Sequence, residues 1–265
     1  MFLNVIKSLW LYREFILGSV KREFQLNYQR SMLGIAWSIA NPLSMILVYT
    51  VIFSQLMKAK LPGIDGAFGY SIYLCSGIVT WGLFAELTRK SIGMFIEHAN
   101  LIKKINFPRL CLPVIITLNS LLNFSIIFSI FLLFIIISGN FPGYKIVAVL
   151  PISLVLITFA MGLGLTLGVL NVFFRDVGQL FNILTQLWFW GTPIVYPINI
   201  LPESIQFIVG LNPMTIVMSS YQNLFVMGAW PSWTALSFVF LLGLFFCSIA
   251  LVLFKKHAGE IVDEV

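Results

Sequence analysis

The sequence predicts an all-α integral membrane protein with six transmembrane helices, an N-terminal amphipathic interface helix and external re-entrant half-helices. Three observations predict it. Of 265 residues, 16 are Lys or Arg and 10 are Asp or Glu, a charged share of 10%, where a soluble chain carries about a quarter. Hydrophobic residues make up 59%, and the mean hydropathy is +0.98. The apolar residues are gathered into blocks near the roughly 20 residues that cross a hydrocarbon core of about 30 Å. A soluble protein of one or two domains is excluded, and residues 1–265 read as a single transmembrane domain.

Along residues 1–31, Phe2, Ile6, Leu9, Trp10, Phe15 and Ile16 recur near helical spacing. Lys7, Arg13, Glu14, Lys21, Arg22, Glu23 and Arg30 break any spanning run. This pattern predicts one or two amphipathic helices in the membrane interface; an ordinary cytosolic helix packed on the rest of the protein is the alternative. No continuous apolar core leads to a small-residue cleavage site, so the segment does not read as a removable signal peptide.

The first span is expected over residues 35–57, where Pro42 follows Asn41 and would release a backbone partner and kink the helix. The second runs over 70–87, before a polar section carrying Arg89, Lys90, Glu97, His98, Lys103, Lys104 and Arg109. The third, 108–137, is long enough that it must tilt, kink at Pro113 or protrude. Only SGNFPGYK separates it from the fourth, 146–170, whose Gly162, Gly164 and Gly168 predict close helix approach. The polar knot NVFFRD leads to the fifth, 177–193. Residues 197–231 hold two apolar segments, near 205–209 and 213–225. Both are too short to cross, but they suit half-helices that enter and leave one leaflet or lie along it. The last span covers 234–254.

The bases set the orientation. Thirteen of the 16 lie in the N-terminal segment, the section after span two, the NVFFRD knot and the C-terminal tail; Lys58, Lys60 and Lys145 lie on the alternate side. By the positive-inside rule both termini are cytoplasmic, which agrees with an even number of spans. The 197–231 segment is then external.

The net charge of +6 is parcelled between apolar blocks and forms no basic stripe, so nucleic-acid binding is excluded. Cys75, Cys111 and Cys247 are widely separated, His98 and His257 form no metal site, and no metal is expected. No GxxxxGK phosphate loop or GxSxG nucleophile pattern is present. Transport therefore ranks above chemistry, driven by ion coupling or by a separate ATPase. Glu86, near the cytoplasmic end of span two with Arg89 and Lys90 close by as partners, is the only ionisable residue expected to be immersed, which is weak support for ion coupling.

Five segments carry a family resemblance: YQRSMLGIAWSIANPLSMILVYTVIFSQLM, IEHANLIKKINFPRL, NVFFRDVGQL, FWGTPIVYP and LNPMTIVMSSYQNL. In this order they resemble the membrane (permease) subunit of type 2 ABC exporters, in the polysaccharide and polyol-phosphate branch. The resemblance covers essentially the whole chain. It implies a homodimeric permease of six-helix protomers in the bacterial inner membrane, paired with two copies of a nucleotide-binding ATPase. That assembly would export a glycan carried on undecaprenyl diphosphate. O-antigen is the favoured cargo, with capsule or teichoic acid as the other members of the branch. The chain is expected to be no enzyme by itself and to bind no cofactor, with ATP and Mg on the partner subunit.

By position, the resemblance places Arg30, Leu33 and Gly34 where the lipid-linked substrate enters. Arg30 would grip a diphosphate in low dielectric or anchor to membrane phosphates. Residues 97–104 match the coupling helix that docks on the ATPase, with Glu97, Lys103 and Lys104 on its exposed face; a plain surface loop is the alternative. Arg175 and Asp176 match a second cytoplasmic connection, which meets the ATPase or simply caps helices. Among 25 Phe, 8 Tyr and 7 Trp, Tyr49, Phe53, Tyr70, Tyr73, Trp81 and Phe84 are the channel-lining candidates, because aromatic faces let sugars slide. Interfacial belts and lipid-facing filler also collect aromatics. A type 2 permease for a drug or small lipid, and a membrane scaffold that transports nothing, are the competing readings.

Overall fold

The computed structural model describes residues 7, 10–28, 36–52, 68–99, 103, 111–257 and 259–264. Among these residues every regular element is a helix. In chain order they are α1 (Arg13–Tyr28), α2 (Ala36–Tyr49), α3 (Gly69–Glu97), α4 (Cys111–Ile137), α5 (Val149–Phe173), α6 (Asp176–Trp190), α7 (Glu203–Leu211), α8 (Pro213–Val226), α9 (Trp233–Lys256) and α10 (Glu260–Glu264). Short 3-10 turns cover Gly143–Ala148 and Ile198–Ile200. The protein is all-α, and four of the described helices are long and apolar enough to cross a membrane: α3, α4, α5 with its preceding turn, and α9. The other two expected spans fall on shorter described helices. Helix α2 continues through Pro42 to residue 52, and α6 has 15 residues, about 22 Å of helix.

Helix α3 is the centre of the fold. It packs against α2, α4, α5, α6 and α8. Ile72, Leu74, Leu83, Phe84 and Leu87 are all nearly inaccessible. By contrast α4 and α9 turn Leu133, Ile136, Leu241 and Phe245 outward, as helices facing hydrocarbon should. The helix that holds the second expected span does not stop at residue 87 but continues to Glu97. Its polar groups share one face, while Ile92, Met94 and Phe95 keep the opposite face buried, so nothing breaks the helix where the charges begin.

Helix α5 lies between α3 and α9, and these are the most extensive contacts among the described helices. Its glycines make that approach possible. A methyl group at Gly164 would come within 2.7 Å of Ser91 Cβ, and one at Gly168 within 2.6 Å of the Ser91 carbonyl oxygen. Gly162 faces α9 instead, with the Gly243 carbonyl oxygen 2.5 Å from the same hypothetical position. Because backbone cannot yield as a flexible side chain does, Gly168→Val is expected to cost at least about 1–3 kcal/mol. A lowered detergent melting temperature checks this, with Gly18→Val, which meets open space, as the comparison.

The turn after α4 is a Schellman cap. Gly139 adopts φ of 75°, its N–H donates to the Ile136 carbonyl at 3.1 Å, and the Asn140 N–H donates to Ile135 at 3.1 Å. Helix α1 buries Ile16 and Val20, four residues apart, and packs along α4, yet leaves Leu17 and Leu26 exposed, as are Trp10 and Leu11 just before it. It is therefore a packed helix that also presents apolar surface.

The 197–231 segment contains two short helices that differ sharply. Helix α7 buries no residue, whereas α8 sinks Met214, Val217, Met218, Tyr221 and Phe225 against its neighbours, chiefly α3. The LNP sequence explains the break between them. Asn212 caps α8 by accepting from the Met214 N–H at 3.0 Å, and Pro213 takes the first helical position, where its missing N–H costs nothing.

Candidate functional site

An open cleft of about 1040 Å³ lies between α3, α4 and α6. Helix α3 supplies a stripe at helical spacing, Trp81, Gly82, Ala85, Glu86, Arg89 and Lys90. Helix α6 faces it with Asn182, Thr185, Gln186, Phe189 and Trp190, and α4 adds Asn123. Since α3 and α6 run in opposite directions, the wall is graded. The charged end and Trp81 lie about 12 Å apart along α3, with amides between.

The charged end is a network across three helices. Lys90 Nζ lies 2.8 Å from Glu86 Oε1, a pairing that the four-residue spacing allows on one helix. Glu86 Oε2 accepts from Asn123 Nδ2 at 2.8 Å, and Ser120 adds a longer contact of 3.4 Å. Glu23 of α1 approaches Lys90 at 3.8 Å and accepts from Asn119. Lys90 thus joins two carboxylates and ties the N-terminal helix to the cleft. Arg89 is exposed on the cleft and, among the described residues, has no ion-pair or hydrogen-bond partner.

At the other end Trp81 packs against Phe84 and Phe189, with ring centroids 5.2 and 5.7 Å away. Behind them Phe84 stacks on Phe159 at 6.0 Å and meets Trp188 edge-on at 5.3 Å. Trp81 therefore stands on the cleft, while Phe84, fully inaccessible, stands one layer behind it.

Tyr70 and Tyr73 are placed differently again. Tyr70 Oη donates to the Val195 carbonyl at 2.5 Å, and Tyr73 Oη lies 3.0 Å from the carbonyls of Pro193 and Tyr196. Gln222 of α8 reaches the Pro193 carbonyl at 3.2 Å. Trp188 Nε1 donates to Asn212 Oδ1 at 2.9 Å, and Asn212 Nδ2 to Thr192 Oγ1 at 3.0 Å. The GTPIVYP turn is thereby fastened to α3 and α8 through its own carbonyl groups, which no helix ladder satisfies. Tyr196 donates to the Trp190 carbonyl at 2.8 Å, and burial raises its phenol further above the ordinary range, so it stays a donor.

Arg30, Leu33, Gly34, Phe53 and Lys104 lie outside the described residues, and of Tyr49 only the backbone is described. Glu97 ends α3 and is exposed, as is Lys103. Arg175 and Asp176 are exposed at the start of α6, where the Asp176 carboxylate suits the positive end of the helix dipole. That connection is tied to α3 by Asn171, whose Oδ1 accepts from the Gly178 N–H at 2.8 Å and whose Nδ2 donates to Ile92 at 3.2 Å. Glu23, Asn119, Asn123, Asn182 and Gln186 escaped sequence reasoning. Asn119 with Asn123 and Asn182 with Gln186 are pairs four apart in predominantly apolar helices, the spacing that marks a polar stripe.

Residues 15–226 match the family described as ABC-2 type transporter. The chain is similar to the O-antigen export system permease protein RfbA of Klebsiella pneumoniae, at 29% identity over 89% of this chain and 88% of the relative. It is similar to the protein of the same name in Myxococcus xanthus, at 28% over 84% of each chain. Polysialic acid transport protein KpsM of Escherichia coli is 20% identical over 89% of this chain and 90% of its own length.

Proposed function

The chain belongs to the ABC-2 type transporter family, and we propose that it is the channel-forming permease of an exporter for a lipid-linked polysaccharide, powered by a separate ATPase subunit. The observation that carries this reading is the graded cleft. Its amides, Asn123, Asn182 and Gln186, offer replaceable hydrogen bonds to hydroxyl groups, and Trp81, Phe189 and Trp190 offer flat faces to sugar C–H surfaces. A conduit for a moving polymer needs weak, repeated contacts of this kind. The similarity to two O-antigen export permeases over most of their length supports O-antigen as the cargo, ahead of capsule or teichoic acid.

In this reading α2 and α6 complete six crossings, both termini are cytoplasmic in the bacterial inner membrane, and α7 with α8 forms the external re-entrant segment that shapes the exit. Helix α6 exposes Leu180, Ile183, Leu187 and Trp190 beside the cleft. A second copy of the chain covers this side and closes two half-channels into one. Substrate enters near Arg30, Leu33 and Gly34. Glu97, Lys103 and Lys104 meet the ATPase, which holds ATP and Mg, and Arg175 with Asp176 forms the second cytoplasmic contact.

Deletion of the gene is expected to remove surface polysaccharide and to leave lipid-linked glycan accumulating on the cytoplasmic side. Surface glycan analysis and lipid extraction measure both. Undiminished surface glycan would overturn the reading; altered drug sensitivity with normal glycan would favour a small-molecule permease instead.

A further inference from the structure

Helix α10 has five residues, well short of the roughly 12–15 at which an isolated helix begins to hold in water. It stands because it is seated. Ile261 is fully inaccessible and belongs to the hydrophobic core, and α10 packs on α5. The Ile261 N–H donates to the His257 carbonyl at 3.0 Å, so the seat is continuous with the end of α9. His257 itself meets the ring of Phe173 edge-on, with centroids 5.4 Å apart, while its Nδ1 lies 2.7 Å from Glu260 Oε2.

Phe173 is the last residue of α5, and the exposed Phe174, Arg175 and Asp176 follow it directly. Two residues earlier, Asn171 accepts from the Gly178 N–H and donates to the Ile92 carbonyl of α3. Positions two apart on a helix differ by about 200° in direction, so α3 and the α9–α10 segment grip the last turn of α5 from opposite faces. Held from one face only, that turn could roll about the α5 axis. Phe95 of α3, stacked on Phe254 of α9 at 5.6 Å, closes the third side. The ends of α3, α5 and α9 are thereby locked together beside the exposed turn 174–176.

We propose that α10 is a clamp that holds residues 174–176 as a rigid docking turn for the ATPase subunit, with His257 and Ile261 as positioning residues that act through the end of α5. Docking onto a turn that is already fixed loses less conformational freedom than docking onto one that must first be ordered. A rigid turn also passes a push through Asn171 to Ile92 of α3 without yielding. That the docked partner is the ATPase rests on the permease reading; the grip on α5 does not.

Hydrogen exchange on the purified wild-type protein tests the clamp without any variant. The amides of Phe174, Val177 and Gly178, which donate to Leu170, Phe174 and Asn171, should be protected at least about 100-fold. Ile261→Asp, which forces a carboxylate into the seat, and deletion of residues 258–265 should each speed exchange at these amides at least about tenfold and leave the middle of α3 unchanged. The same two variants should recover at least about fivefold less ATPase on copurification and export less surface glycan, whereas Ile261→Leu, which conserves volume, should keep both. Unprotected amides in the wild-type protein, or exchange that neither variant alters, would overturn the clamp. Faster exchange with full recovery of the ATPase and full export would overturn its docking role and leave α10 as an anchor for α5 alone. Normal surface glycan after gene deletion, with the exchange response intact, would instead sink the export reading and leave the clamp standing.

Discussion

Gly82→Trp is expected to reduce polysaccharide export to background while the permease still folds and still copurifies with its ATPase partner. Gly82 lies on the cleft face of α3, where it also borders a second cavity of about 490 Å³ between α2, α3 and α4, and a Cβ added there meets nothing within 4 Å. The first atom of the new side chain therefore meets no protein, and the indole adds its bulk on the cleft side of the helix. The substitution also removes a glycine from a helix interior, which by itself favours the helix by up to about 1 kcal/mol. If two copies enclose the conduit, two indoles project into it. They stand one residue along from Trp81, at the boundary between amides and aromatics where a sugar chain must pass. Gly82→Ala is the control, since a methyl group in open space should leave export near the wild-type level. Pulse labelling of surface glycan, with assembly followed by copurification, separates a blocked conduit from a lost complex. Wild-type export by Gly82→Trp would mean that the cleft is not the path.

The sequence made the lipid-facing half of this architecture legible, for a physical reason. Helices α4, α5 and α9 need only be apolar on the outside, so Leu133, Ile137, Leu150 and Phe245 need no specific partner in the chain, and hydropathy alone finds them. Helix α3 obeys a different rule. It is surrounded by protein and borders a polar cleft, so its composition reports neighbours and not lipid, and hydropathy ends it at residue 87 although the helix runs to Glu97. Helix α8 is too short to cross and for that reason reads as peripheral. Yet Tyr221 is 1% exposed and bonds Ser153 Oγ at 2.5 Å, a partner 68 residues away that no local pattern announces.

The candidate site divides in the same manner. Glu86 with Lys90 was readable from a spacing of four residues, but the same spacing logic offered Arg89 as a partner too, and the structure gives the pair to Lys90 alone. Glu23 was readable only as a charge in an amphipathic helix, because its approach to Lys90 depends on how α1 lies along α4. Tyr70 and Tyr73 were visible as aromatics in a span. Their hydrogen bonds go to carbonyls more than 100 residues away, and backbone acceptors leave no signature in a sequence.

Lys90→Met is expected to destabilise the protein by about 2–3 kcal/mol, and Glu86→Leu introduced with it to restore most of that loss. The lysine is the only described cation that pairs with Glu86, and the Glu86 side chain is 17% exposed. Removing the ammonium leaves a carboxylate with two neutral donors, Asn123 and Ser120, in surroundings where an uncompensated charge is costly. Breaking a fully buried pair costs about 3–5 kcal/mol; the lower figure here reflects the residual exposure of the two side chains, 22% and 17%. Replacing both partners by apolar groups removes the desolvation problem along with the attraction, so the double variant should melt well above the single one. Glu23→Gln should have the smallest effect, because its contact with Lys90 is 3.8 Å and its side chain is 32% exposed, within the range where surface pairs contribute about 0–1 kcal/mol. Thermal melts of the purified protein in detergent, run as a double-mutant cycle, provide the coupling energy directly. Additive losses would show that Lys90 and Glu86 act as two independent surface groups.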